Sequence, residues 1–138
     1  MTTEEAVAIF NEAKAAGMKA LEAAIPTPMV VVQRENPMDD NSPVVKRYDA
    51  ILDGMCGFAW VKWFAKGTGG AFIRALKKAG LAGDPNSRCE VRPAYPNGYQ
   101  FWVHEGNQSF ERKRAYAMAF AAVLRKHGIE AFPDSRLD

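Results

Sequence analysis

Four side chains offer nucleophilic or metal-binding chemistry: Cys56, Cys89, His104 and His127. They follow one another at intervals of 33, 15 and 23 residues. A zinc site normally begins with a closely spaced ligand pair, which this pattern lacks, so neither metal nor other cofactor is expected. Cys56 could act as a nucleophile only beside a base, and His104 could serve only if two strands align them. An acid–base pair of Asp53 and Glu105 stands on the same footing. The plainer expectation is core or surface thiols and ordinary histidines. Without close cysteine pairing, a reducing compartment keeps both as thiols.

A second set is cationic: Arg74, Lys77, Lys78, Arg112, Lys113, Arg114, Arg125 and Lys126. Such residues can contact phosphates, each adding a salt-sensitive interaction. Outward helix positions are commonly charged, so a solvated helical face is the alternative. Net charge is +2 overall but uneven, at −4 over residues 1–60 and +6 over residues 61–138. An anionic partner would therefore meet the C-terminal part. The loop Lys66-Gly-Thr-Gly-Gly70 could hold a phosphate on backbone N–H groups. It lacks the closing Gly-Lys-Ser/Thr of a phosphate loop, and reads as a capped turn.

The third set is aromatic. Gly57-Phe-Ala-Trp-Val-Lys-Trp-Phe64 is apolar on both alternating sides, which predicts an interior strand. Gly98-Tyr-Gln-Phe-Trp-Val103 is a second such strand, and loosely resembles the RNA-recognition-motif string. Asn97 replaces the leading basic residue of that string, and Trp102 has no place in it. Aromatics on two central strands of an open sheet can stack single-stranded bases. The competing expectation is that an N-terminal helix packs over these rings and buries them, since its apolar stripe needs a partner.

The elements that position these residues are readable in order. Length of 138 residues, 48% apolar and 25% charged, fits one globular domain. No apolar run approaches the ~20 residues needed to span a bilayer. The N-terminus lacks the pattern of a secretory signal, which makes a cytoplasmic location the default expectation. Thr2 and Glu5 form a capping-box pattern opening a helix to Ala24, ended by Pro26 and Pro28. Met29 to Gln33 is a short strand, residues 35–43 a loop, and residues 44–53 either a strand or a helical turn. After the central strand, a helix runs from Thr68 to about Ala79, stopped by Gly80. Residues 88–104 form a hairpin about Asn97-Gly98, whose positive φ angles suit a two-residue turn. Ser109 caps a long helix with Tyr116, Ala119, Phe120, Val123 and Leu124 inward. Ile129 to Phe132 is the last strand, before a polar tail.

From Gly57 onward the order is strand, helix, strand, strand, helix, strand: an α+β chain with a ferredoxin-like βαββαβ unit. Its first and third strands are expected inside the sheet, its second and fourth at the borders. Residues 1–56 are then an added helix and covering segment, 57–132 the core and 133–138 a tail.

Three strings, Asp53-Gly-Met-Cys-Gly-Phe-Ala-Trp-Val61, Asn107-Gln-Ser-x-Glu-Arg-Lys113 and Gly128-Ile-x-Ala with terminal Ser135-Arg-Leu-Asp138, resemble those of a group of small phage-encoded proteins of unassigned role. The likeness spans roughly three-quarters of the chain. It implies a compact accessory protein in the host cytoplasm or associated with the virion, and implies no catalytic residue. The resulting expectation is a non-enzymatic protein that binds nucleic acid or a host or phage protein through the basic helical surface. A virion structural or assembly component is the runner-up, and a small Cys/His-dependent enzyme comes third.

Overall fold

The structure is a computed structural model in which residues 1–28, 30, 32–47 and 54–138 are described. The described residues form an α+β arrangement of three helices and two sheets. None of the helices is long and apolar enough to cross a membrane.

Helix α1 (Thr3–Ala23) starts at the predicted capping box. Thr2 Oγ1 accepts from the Glu5 N–H at 3.1 Å, and the Glu5 carboxylate accepts from the Thr2 N–H at 3.3 Å. Together they satisfy two of the N–H groups that a helix start leaves open. Strands β1 (Val32–Arg34) and β2 (Val44–Arg47) pair antiparallel as a separate small sheet. The ambiguous stretch is therefore a strand as far as Arg47; residues 48–53, like Met29 and Val31, lie outside the described residues.

The main sheet contains β3 (Gly57–Trp63), β4 (Val91–Pro93), β5 (Tyr99–Trp102) and β6 (Ala131–Leu137), with helices α2 (Thr68–Lys78) and α3 (Phe110–Lys126) between them in sequence. Its order is β4-β5-β3-β6, and every pairing is antiparallel. The two strands that are apolar on both sides, β3 and β5, are interior, as their polarity predicts. The segment after α2 lies against the far side of β4, where Val91 N–H donates to Leu81 O at 3.1 Å.

Two local features differ from expectation. The hairpin closes through Ala94 N–H donating to Gly98 O at 2.8 Å, with Pro93 opposite Tyr99. A two-residue Asn97-Gly98 turn would have to pair Pro96, which has no N–H to give. Only Gly98 of the two has positive φ, at +84°. The polar tail is also a strand as far as Leu137, paired along its length with β3. Pro133 is tolerated there because β6 is a border strand, where a missing N–H costs no ladder bond.

The largest departure concerns α1. It lies in the same layer as α2 and α3, packed chiefly on α3, instead of covering the opposite face of the sheet. Phe10 meets both Phe101 and Phe120 edge-on, at 5.7 and 6.0 Å between centroids. Phe101 stacks in turn on Phe120 at 4.5 Å and on Tyr116 at 6.2 Å. Ala59, Val61 and Trp63 of β3 form the floor of this core. Each buried ring contributes about 2–3 kcal/mol by leaving water. The apolar stripe of α1 thus finds its partner among the helices.

Close contact makes that possible. A Cβ added at Gly17 would lie 2.7 Å from Cδ1 and Cε1 of Tyr116. Gly17→Ala gains about 1 kcal/mol of helix propensity but overpacks a ring clamped by its neighbours, at about 1–3 kcal/mol. The expected outcome is a lower urea midpoint, and a more stable variant would disprove the tight approach.

Burial, aided by the charges of Glu105 and Glu90, holds the Tyr116 phenol well above the ordinary tyrosine range. Its hydroxyl has no hydrogen-bond partner among the described residues. Because these causes penalise the phenolate, the phenol costs nothing below the unfolded value of about 10, and stability is lost as pH climbs from there towards the folded value. Tyr116→Phe should therefore be near neutral in stability at pH 7. In denaturation across an alkaline pH series it should lose less stability than wild type; parallel curves would refute the assignment.

Candidate functional site

Beyond the helices, the second face of the sheet carries every other residue of β3, β5 and β6. Register places Trp60 between Trp102 and Asp134, Lys62 between Gln100 and Phe132, and Phe58 beside Arg136. Arg92 of β4 sits opposite Gln100. Antiparallel neighbours of this kind project side by side from one surface. No described helix packs on it, and Phe58, Trp60, Lys62, Gln100 and Trp102 are partly exposed. Phe132 of β6 is 50% exposed, whereas Trp63, on the helical side of β3, is 0% exposed. The face that was expected beneath α1 is open to solvent among the described elements.

Its rings form two groups. Trp60 and Trp102 lie 4.9 Å apart at 31°, and Phe58 meets Trp102 edge-on at 6.0 Å. Phe64 meets Phe132 at 6.3 Å, and Lys62 Nζ stands 5.3 Å over the Phe64 ring. Two cations approach Phe58: Lys113 Nζ at 6.0 Å and Arg136 Cζ at 5.4 Å. Such contacts fix ring orientation while keeping positive charge beside an exposed aromatic surface.

The cationic helix residues predicted as a binding surface divide between separate places. Arg112, Lys113 and Arg114 stand about 20 Å along α3 from Arg125 and Lys126, at 1.5 Å rise per residue. Lys113 is buried at 7% exposure, its stem packed and its ammonium delivered to Phe58. Arg112 is half-buried, and its N–H donates to Ser109 Oγ, the cap of α3, at 3.3 Å. Arg114 is exposed beside Met118. Arg125 Nε donates to Ala131 O at 2.9 Å. Lys126 pairs with Glu12, which His127 Nε2 also meets at 3.0 Å. Those two bonds hold the half-buried Glu12 carboxyl below its usual range. On α2, Arg74, Lys77 and Lys78 are exposed, with Lys77 Nζ 5.1 Å over the Tyr99 ring.

Cys56 is exposed, and Cys89 is half-buried with its thiol donating to Gly80 O at 3.4 Å. Cys89 and His104 line one trough, whereas the pairing considered from the sequence was Cys56 with His104. Asp53 lies outside the described residues, and among those described no three His, Cys, Asp or Glu side chains gather as metal ligands. In the glycine loop, a Cβ at Gly69 would collide with the carbonyl oxygen of Phe64. The glycines there allow the helix to start directly against the end of β3, as a packed turn requires.

Three separated strings meet at one corner of the sheet. Gly57 N–H donates to Gln108 O at 3.0 Å, Phe110 N–H to Met55 O at 2.9 Å, and Asp138 N–H to Cys56 O at 3.0 Å. A Cβ on Gly57 would lie 2.6 Å from the Phe110 ring and 2.7 Å from Arg136 O, so only glycine fits. Phe58, Lys113 and Arg136, drawn from these three strings, then meet at the open face.

Lys62, Arg92 and Arg136 are the face cations that composition and helix periodicity did not single out. The available signal was strand parity: Lys62 shares its side of β3 with Phe58 and Trp60, and Arg136 becomes visible only if the tail is paired. No protein-family model, curated protein or solved structure matches this chain.

Openness of the face has a direct optical test, because the chain has 3 tryptophans. Acrylamide should quench wild-type emission readily. The Trp60→Phe/Trp102→Phe variant keeps only the enclosed Trp63 and should resist quenching. Equal resistance in wild type would mean that the face is covered.

Proposed function

We propose that this chain binds single-stranded nucleic acid, without catalysing a reaction, across the uncovered face of its main sheet. The observation that carries this reading is the register that sets Phe58, Trp60 and Trp102 together on the two interior strands with Lys62, Arg92 and Arg136 around them. Aromatic faces stack on any base, and the cations beside them meet the phosphates that join the bases. A duplex hides its bases in the stack, so this combination suits a single strand.

The unit from β3 to β6 is read as ferredoxin-like, supported by its element order and by the strand order β4-β5-β3-β6. Membership of the phage-encoded accessory group, acting in the host cytoplasm or with the virion, remains part of the proposal. The meeting of its three strings around Gly57 and Phe58 supports treating them as one unit. A second reading, contact with a protein, is favoured by the hollow lined by Met55, Phe110, Arg114 and Met118 on the outer side of α3.

Titration of labelled oligouridylate and oligothymidylate by fluorescence anisotropy tests the first reading. Replacing Trp60 and Trp102 by alanine should weaken binding about tenfold or more, at about 1–3 kcal/mol per stacked base. Lys62→Gln should lower the salt slope by about one phosphate contact. Arg74→Gln/Lys78→Gln and Met118→Ser should leave both unchanged. Absence of binding by wild type at about 50 mM salt would sink the strand-binding reading.

A further inference from the structure

Beside Trp102 the face deepens into a trough of about 420 Å³. Its floor is Gln100 and Trp102 of β5 with Arg92 of β4, and its walls bring in Arg88, Glu90 and His104. The trough lies where the aromatic surface stops. One side of Trp102 has Trp60 and Phe58, while the other has only charged and polar side chains.

The charges there are arranged unequally. Glu90 is held by Lys14 of α1, with Nζ 2.9 Å from Oε2, which neutralises the trough's carboxylate. Arg92 is tied through Nε to the Cys89 carbonyl at 3.0 Å, leaving its terminal nitrogens for an anion. Arg88 is exposed at the rim. Two guanidinium groups thus serve one small cavity, whereas the rest of the face offers single cations, Lys62 and Arg136, on separate rows. Paired guanidinium groups favour a phosphate monoester, which carries more charge and more free oxygens than a diester within a strand.

Building on the strand-binding reading, we propose that this trough is an end-recognition subsite for a terminal nucleotide bearing a phosphate monoester. The base lies on Trp102 with its edge towards the Gln100 amide, which offers both a donor and an acceptor. The phosphate sits between Arg88 and Arg92. The strand then leaves over Trp60 and Phe58. A free nucleoside monophosphate presents the same chemistry and enters the same trough.

The test uses the intact chain and short oligouridylates that differ only in their ends: 5′-phosphate, 3′-phosphate, or hydroxyl at both. One phosphorylated end should bind roughly tenfold more tightly than the hydroxyl strand. Arg88→Gln should remove most of that preference while leaving hydroxyl-strand binding within about twofold, with thermal melting confirming the fold. Equal affinity for all three strands, with the face still binding, overturns the subsite and spares the strand-binding reading. If no strand binds, quenching of tryptophan emission by uridine monophosphate against uridine decides the trough alone. Stronger quenching by the monophosphate, lost in the arginine variant, keeps the monoester site without the strand; equal quenching by the two overturns it.

Discussion

The distance between α1 and α3 governs what this molecule exposes. Gly17 has no side chain where the Tyr116 ring passes, so the two helices approach closely enough for Phe10 to reach Phe101 and Phe120. A larger residue at that crossing would lift α1 away from the rings that bury its stripe. With α1 seated there, all three helices share one side of the main sheet. The other side is left to Phe58, Trp60, Trp102, Phe64 and Phe132. Its openness thus follows from packing on the far side of the same strands.

Alternation along β3 couples the two sides. Ala59, Val61 and Trp63 enter the core, and the residues between them cannot, because neighbouring side chains of a strand point oppositely. The core therefore determines which rings face water. Several cations are spent in the same construction. Lys113 caps the Phe58 ring from within, Arg125 holds the start of β6, and Lys126 joins α3 to α1 through Glu12. These residues orient elements, while Lys62, Arg88, Arg92 and Arg136 stand beside the exposed rings and trough. Counting basic residues along helices does not separate the two roles.

Much of the architecture was legible because local rules suffice for it. Thr2 and Glu5 announce the start of α1, Ser109 that of α3, and the two-sided apolar character of β3 and β5 their interior places. Strand order followed from that polarity. The hairpin turn was misread at its tip, where Pro96 cannot make the closing pair, and the tail was misread because a border strand may be polar on its outer side and contain proline. Both errors concern the partners of a backbone group, which short-range patterns do not specify.

By itself the sequence determined the three helices and the two interior strands, and which positions along them are apolar, since these depend on residues a few places apart. It could not decide the side of the sheet on which α1 would lie. An amphipathic stripe is satisfied equally by an aromatic sheet face or by neighbouring helices, and the choice rests on the fit between Gly17 and Tyr116, 99 positions apart in the chain. Only the tertiary structure made that choice, and with it placed Arg88, Arg92 and Arg136 around one exposed aromatic surface.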